Sequence, residues 1–113
     1  FAKKHPKCFK NVNFEEITNQ CNQAMNKIKE LSNTNKKYDM VILEEFNIAI
    51  RDNFIDENEF IHLVKLLSQK SNLIITGRGA SKALIDIADL VTEMKEIKHP
   101  YRKGIKAQRG IEF

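Results

Sequence analysis

Two adjacent carboxylates, Glu44 and Glu45, directly follow the apolar run MVIL and are the residues best placed in this sequence for chemistry. Acids at the carboxyl end of a strand can hold a magnesium ion or its water, because a hard divalent cation prefers carboxylate oxygens on a rigid support. Acids at this position also cap helices or simply face solvent. The pattern by itself therefore indicates a candidate metal site and leaves both alternatives open.

A second candidate is the turn TGRG, in which Arg78 lies between Gly77 and Gly79 after the apolar run NLII. An arginine in such a turn can bind a phosphate or a ribose, although a lone arginine is more often only at the surface. The chain contains no G-x-x-x-x-G-K-S/T phosphate loop, and its spacing suggests no Ser-His-Asp or Cys-His arrangement. His99 has no second imidazole or thiol at ligand spacing, which argues against a metal role for it.

The chain ends in the basic stretch EIKHPYRKGIKAQRGIEF, where six Lys or Arg between residues 95 and 109 face one acid. These side chains could bind the phosphates of a nucleotide or a nucleic acid, or could only solvate the end of the chain. Residues 39–59 hold seven acids and one base, although the net charge of the whole chain is only +4. This segregation can steer an anionic ligand. The candidate binding groups of the basic stretch are Lys98, His99, Lys103, Lys106 and Arg109.

Helices are predicted at three places. Apolar residues recur at spacings of three and four from Phe14 to Leu31, and Asn13 is placed to cap an amphipathic helix. A second helix is predicted from Asp56 to about Ser68, with Glu59 completing a capping box. A third, short helix is predicted after residue 81. The predicted core positions of the first helix are Phe14, Ile17, Cys21, Met25, Ile28 and Leu31.

The runs YDMVIL and NLIITG predict two strands that are buried on both faces, and residues 90–97 predict a third strand. Strands that alternate with helices must run parallel, so the predicted fold class is α/β with a three-layer parallel sheet. Ligands of such sheets bind beyond the carboxyl ends of the strands. We therefore expect Glu44-Glu45, the TGRG turn and the residues after Ile97 to converge.

Size and cysteine content bound the remaining possibilities. With 113 residues, 42% of them apolar, the chain can form one domain. Cys8 and Cys21 are too few for a disulfide framework and lack zinc-site spacing, so both are predicted to be reduced thiols, which favours the cytoplasm. The apolar runs are too short for a membrane span, and no signal segment opens the chain. Because it begins with Phe1 in a basic stretch, we expect the sequence to be a fragment.

Three pieces of the sequence carry a family resemblance: YDMVILEEFNIAI, LIITGRGA and LIDIADLVTEMKEIKHPYRKGIKAQRGIEF, in this order. Together they resemble the carboxyl-terminal half of the P-loop-type ATP:corrinoid adenosyltransferases, also called cob(I)yrinic acid a,c-diamide adenosyltransferases. The resemblance covers about residues 38–113, and its most specific parts are DLVTEM, KHP, GIKAQ and GIEF. It implies a RecA-like P-loop NTPase fold that lacks its amino-terminal phosphate-loop part, so that residues 1–113 form a single, partial domain.

The resemblance also implies a function. The family that the chain resembles consists of cytoplasmic homodimers. They transfer the 5′-deoxyadenosyl group of ATP to the Co(I) of a reduced corrinoid, in cobalamin biosynthesis or salvage. Magnesium is the implied cofactor, and ATP and the corrinoid are the implied substrates. A reducing flavoprotein is an implied further partner, whereas no membrane and no nucleic acid are expected.

The resemblance assigns roles to individual residues. Glu45 matches the metal-associated glutamate of the family, and Glu44 stands where the family usually has aspartate. Asn47 lies at a family-typical position, and Phe9 lies at about the distance at which the family places aromatic residues against the corrinoid. The resemblance identifies no catalytic residue. The implied nucleotide-binding residues are Arg78, Gly79 and Lys106.

The basic ending is thus interpreted as the rim of an active site, facing the dimer partner, because GIKAQ and GIEF interrupt its charge run. Two alternatives stay open. The first is a noncatalytic module that binds RNA or DNA through the basic stretch, with steeply salt-dependent affinity. The second is a truncated chain without activity of its own, which the missing phosphate loop makes plausible.

Overall fold

The computed structural model describes residues 13–110. In chain order its elements are α1 (Phe14–Asn33), β1 (Met40–Leu43), α2 (Phe46–Arg51), α3 (Glu57–Ser68), β2 (Asn72–Ile75), α4 (Lys82–Ile87) and a 3-10 turn (Pro100–Lys103). The predictions for Cys8 and Phe9 fall outside the described residues. In the described part, no helix has both the length and the apolar character that crossing a membrane requires.

The first predicted helix is confirmed as α1. Asn13 caps it, because its side chain accepts a hydrogen bond of 3.0 Å from the backbone N–H of Glu15. Phe14 departs from the predicted core: it is 65% exposed, and its ring stacks on that of Phe54 at a centroid distance of 5.9 Å. The other positions on the apolar face make α1 one side of the core, with the buried residues Ile17, Cys21, Ala24, Met25 and Ile28.

The second predicted helix is confirmed as α3, which packs against α1. Asp56 caps it by accepting a hydrogen bond of 2.7 Å from the backbone N–H of Glu59. Glu59 also forms a 2.5 Å ion pair with Lys29 of α1. Phe60 is fully buried and stacks on Phe46 of α2 at a centroid distance of 5.2 Å, so α1, α2 and α3 share one core.

The two strands pair in parallel, with Met40 opposite Asn72 and Leu43 opposite Ile75. Leu43 is buried, and Val41, Leu73 and Ile75 pack against the same core. The prediction that both faces of these strands are buried is wrong for the described chain. The described helices cover only one face, and the opposite face exposes its apolar side chains: Met40 by 53%, Ile42 by 59% and Ile74 by 41%.

The predicted third strand is also wrong, since residues 90–97 form no regular secondary structure. Every residue from Ala88 to Gly110 is exposed. A strand requires a neighbour for its backbone hydrogen bonds, and the sheet of the described residues contains only β1 and β2. The α/β class is therefore confirmed, whereas the described chain forms a two-stranded sheet with helices rather than a three-layer sheet.

Candidate active site

The candidate site begins where β1 turns into α2. Glu44 and Glu45 are exposed, and Glu45 occupies the cap position of α2 with φ 60° and ψ 15°, in the left-handed region. This conformation costs a residue other than glycine about 1 kcal/mol or more, so surrounding contacts must hold it in place. The Glu45 side chain makes no capping hydrogen bond. Its carboxylate is thus not used by the helix, which removes the capping alternative for this residue.

Three hydrogen bonds join the end of β1 and the residues after it to Thr76, which directly follows β2. The backbone N–H of Glu45 donates to the hydroxyl Oγ1 of Thr76 at 3.1 Å. The backbone N–H of Thr76 donates to the carbonyl of Leu43 at 3.0 Å, and the backbone N–H of Asn47 donates to the carbonyl of Thr76 at 3.3 Å. The predicted meeting of the two strand ends therefore occurs, and Thr76 is its centre.

Gly77 packs directly against this junction. Its φ is 123°, and a Cβ added to it would lie 3.1 Å from the Cβ of Asn47 and 3.2 Å from the Cα of Glu45. Asn47 is buried, and its Nδ2 donates to the carbonyl of Gly77 at 3.1 Å. Its Oδ1 is buried with no hydrogen-bond partner among residues 13–110. The Nδ2 of Asn47 thus holds the turn, while its Oδ1 is left without a partner among the described residues.

Arg51 of α2 lies against the other glycine of the turn. A Cβ on Gly79 would lie 2.8 Å from the Cδ of Arg51. The Nε and Nη2 atoms of Arg51 donate to the two carboxylate oxygens of Asp52 at 2.9 and 3.0 Å. The hydrogen bond to Asp52 raises the pKa of Arg51, and the charge of Glu45 contributes in the same direction. Arg51 therefore places a fixed positive charge within electrostatic range of Glu45.

Among the described residues, Lys106, His99 and Arg102 form no hydrogen bond or ion pair with this site. Lys106 is exposed and forms no hydrogen bond or ion pair with another described residue. The Nδ1 of His99 accepts a hydrogen bond of 3.1 Å from the backbone N–H of Tyr101, so His99 caps the 3-10 turn. Arg102 pairs with Glu96 at 2.8 Å. Arg78 is exposed beside Gly77 and Gly79, at the strand ends themselves.

The donor set at the strand ends fits one kind of metal site. The described residues include no group of three or more His, Cys, Asp or Glu side chains that could enclose an ion. Magnesium does not require such a group, because it keeps several waters and binds through one or two carboxylates together with substrate phosphates. The exposed pair Glu44 and Glu45, with the cation of Arg78 on the neighbouring turn, fits a magnesium-polyphosphate rather than a metal held by protein alone.

Sequence reasoning missed two residues of this arrangement, Thr76 and Arg51. Thr76 directly precedes the glycine turn. Its hydroxyl could have identified it from sequence, because a polar side chain at a strand end that is partly removed from solvent normally forms a hydrogen bond. Arg51 carried only the weak signal of being the single base in an acidic stretch.

A parallel strand-helix-strand unit with polar residues at its strand ends places this chain among the α/β proteins that bind ligands at the carboxyl ends of their strands. The particular family is identified by comparison. The sequence model of the family described as "ATP:corrinoid adenosyltransferase BtuR/CobO/CobP" matches residues 3–113. The chain belongs to the ATP:corrinoid adenosyltransferase family.

Relatives from three bacteria agree with this assignment. The chain is 47% identical over 92 residues to a corrinoid adenosyltransferase from Sinorhizobium sp, an alignment that covers 80% of this chain and 42% of the relative. It is 35% identical over 75 residues to the corrinoid adenosyltransferase CobA of Salmonella typhimurium, covering 66% and 38%. Identity to the corrinoid adenosyltransferase of Escherichia coli strain K12 is 29% over 101 residues, covering 89% and 51%. The chain thus spans about half the length of the curated relatives it matches.

Proposed function

We propose that this chain supplies the carboxyl-terminal half of a domain that transfers the 5′-deoxyadenosyl group of ATP to the Co(I) of a reduced corrinoid. The match to the family over residues 3–113 carries the proposal. In the proposed reaction the electron pair of Co(I) attacks the ribose C5′, the C5′–O bond breaks, and triphosphate leaves with the bonding electrons. The corrinoid is a substrate whose cobalt forms the new bond to carbon.

The proposed roles of the chain's residues follow from where charge must be neutralised. A bound magnesium ion supplies part of the positive charge that the leaving triphosphate requires. Glu45, with Glu44 beside it, would hold this ion or its waters at the end of β1. Arg78 and the backbone of Gly79 would contact the nucleotide, and Asn47 would keep the turn in place. Lys106 would add positive charge on the nucleotide side once the basic ending is folded over the site.

Further parts of the proposal rest on the family resemblance. The complete enzyme is proposed to be a cytoplasmic homodimer that receives reduced corrinoid with the help of a flavoprotein and that binds no nucleic acid. Phe9 is proposed to contact the corrinoid, and the complete domain is proposed to have the RecA-like P-loop NTPase fold. The exposed apolar side chains of Met40, Ile42 and Ile74 support the proposed fold. A parallel sheet of that fold is covered on both faces, so in the complete domain other elements would cover these side chains.

The deciding experiment compares this chain alone with a fusion that places it behind the half of the Sinorhizobium relative that it does not cover. We expect no useful adenosylation by the chain alone, because the backbone N–H groups and the lysine of a phosphate loop normally carry much of the triphosphate charge. We expect turnover by the fusion, which we call the completed enzyme. Formation of the cobalt–carbon bond is followed by absorbance with Co(I) corrinoid, ATP and magnesium.

Two results would contradict the proposal. Turnover by the isolated chain would show that the phosphate loop is dispensable. A folded fusion that binds ATP yet forms no cobalt–carbon bond would reject the proposed reaction for this chain, provided that the unmodified relative is active in the same assay. The relative is therefore the matched control for reagents and reducing conditions.

A further inference from the structure

We propose that Thr76 is a positioning residue: its hydroxyl holds the Glu45 backbone in the left-handed conformation and so keeps the carboxylate free for the metal. This inference deepens the proposed function, since it rests on Glu45 being the metal-associated residue. Glu45 is the residue with the strained backbone, and Thr76 is the residue whose side chain reaches that backbone.

The contact is tertiary, because the two residues are 31 positions apart in sequence and follow different strands. The N–H groups at the start of a helix have no partner within the helix. At α2 the N–H of the cap residue Glu45 is one of these groups, and the Thr76 hydroxyl accepts its hydrogen bond. The carbonyl of Glu45 also accepts a hydrogen bond of 3.2 Å from the N–H of Ile48, but an ordinary extended cap residue forms this bond as well, so it does not select a positive φ.

The effect of the hydroxyl is separable from the rest of the junction. The backbone of Thr76 makes two hydrogen bonds of its own, to Leu43 and Asn47, and neither involves the side chain. Valine has nearly the shape of threonine but cannot accept a hydrogen bond. Thr76→Val therefore removes the acceptor while the strand ends stay joined, and Thr76→Ser retains the acceptor. These two variants isolate the proposed contact.

The experiment uses the 113-residue chain, isotope-labelled for nuclear magnetic resonance, with Mn²⁺ and inorganic triphosphate together as the probe. In the wild type we expect Mn²⁺ to broaden the amide signals around Glu44 and Glu45, and the HN–Hα coupling of Glu45 to report a positive φ. In Thr76→Val we expect the Glu45 amide to exchange about five- to tenfold faster, the coupling to shift, and the broadening to require about five- to tenfold more Mn²⁺. Thr76→Ser should restore all three readouts toward the wild type.

Glu45→Gln is the control that tests the metal assignment separately. It should abolish the broadening while the protection of the position-45 amide persists, because the substitution changes the side-chain charge and leaves the Thr76 contact intact. If valine alters amide signals beyond the two strand ends, Thr76→Ala removes the same acceptor with a smaller side chain and is measured in its place.

The outcomes separate the two claims. Mn²⁺ binding that is unchanged in Thr76→Val, with unchanged Glu45 coupling, overturns the positioning role and leaves the metal role of Glu45 standing. A wild type whose strand-end amides do not respond to Mn²⁺ overturns the metal role of Glu45 in this chain and the positioning role with it. Faster exchange and weaker Mn²⁺ binding in Thr76→Val, rescued by Thr76→Ser, supports both.

Discussion

At the scale of single residues, Glu45 combines an exposed carboxylate with a left-handed backbone. A residue with a Cβ is destabilising in the left-handed region of φ and ψ. Such strained residues are found mostly at functional sites, where the backbone conformation orients a side chain. If function rather than stability selects this residue, removing its Cβ should stabilise the fold. Glycine is the residue that tolerates a positive φ without this penalty.

The first prediction compares Glu45→Gly with Glu45→Ala. Both variants lose the carboxylate, but only glycine removes the penalty of a Cβ at φ 60°. We expect the free energy of unfolding of Glu45→Gly to exceed that of Glu45→Ala by roughly 0.5–1 kcal/mol, after the larger backbone entropy of glycine is allowed for. Urea unfolding followed by circular dichroism measures the difference. Equal stabilities would show that the backbone at residue 45 is relaxed.

The second prediction concerns Gly77, where φ is 123° and an added Cβ would meet Asn47 and the backbone of Glu45 within 3.2 Å. Gly77→Ala should destabilise the fold by roughly 2–3 kcal/mol, because backbone strain and a clash with main-chain atoms add. Gly104→Ala is the matched control: its φ is 75° and its Cβ would meet nothing within 4 Å. That variant should cost only about 1 kcal/mol. Similar losses in the two variants would mean that the junction is not tightly packed.

At the scale of elements, α1 places Cys21 in the core, and the third prediction follows from its ionisation. Burial raises the pKa of the Cys21 thiol. The folded chain therefore holds this proton more tightly than the unfolded chain. The resulting stability is fully present below the pKa of an unfolded cysteine, about 8.5, and is lost as the pH rises through the folded pKa.

The measurement is urea unfolding between about pH 7.5 and about pH 9.5, with Cys21→Ala as the reference. Both chains carry Cys8→Ser, so that Cys21 is the thiol that titrates. The free energy of unfolding of the chain with Cys21 should fall relative to that of Cys21→Ala as the pH rises. The thiol ionises more readily in the unfolded chain, whereas alanine has no proton to release. A constant difference across this range would contradict a buried neutral thiol.

The helices α1 and α3 were predictable from sequence because their signals are local. Asn13 and Asp56 cap them, and apolar residues recur at the helical period within one stretch of chain. The helix α2 was not predicted, since its six residues contain two isoleucines and its existence depends on the core contacts of Phe46. The prediction of a strand at residues 90–97 was wrong because it rested on apolar residues alone. A strand also needs a neighbouring strand for its backbone hydrogen bonds, and the local sequence does not show whether one is present.

The candidate site divides in the same way. The meeting of Glu45 with the Gly77 turn follows from parallel strands, whose carboxyl ends share one edge, and is confirmed. The contacts of Thr76 and Arg51 depend on backbone conformations, the left-handed Glu45 and the close approach at Gly79, that residue types alone do not specify. Convergence of the residues after Ile97 on this edge was predicted as well, and in the described chain Lys106 is exposed and forms no hydrogen bond or ion pair with this edge.

At the scale of the whole molecule, the chain is larger in extent than a compact domain of its length. Its radius of gyration is 15.8 Å, against about 13 Å expected for 113 residues. The exposed stretch contains apolar side chains that globular proteins normally cover, among them Leu90, Met94 and Ile97, each more than 80% exposed. Together with the open face of the sheet, this fits a chain that spans about half the length of its relatives.

The last prediction tests whether the basic ending serves a local site or a nucleic acid. Lys106→Ala with Arg109→Ala is compared, in the completed enzyme, with Lys98→Ala with Lys103→Ala. Both pairs remove two exposed positive charges from the same stretch, so the net charge changes equally. If the ending forms the rim of the adenosyltransferase site, the Lys106 pair should lower ATP affinity or adenosylation by about tenfold, and the Lys98 pair should have a much smaller effect.

A nucleic-acid arm predicts a different pattern, because each phosphate contact contributes about 0.9 to the slope of log affinity against log salt for duplex DNA. Losing two contacts should then flatten this slope by about 1.8, and both variants should do so, while adenosylation stays unchanged. Adenosylation and duplex binding at several salt concentrations are measured on one preparation of each variant. We expect the loss of activity to follow the Lys106 pair alone. Tight duplex binding whose salt slope falls in both variants would instead assign the basic ending to nucleic acid.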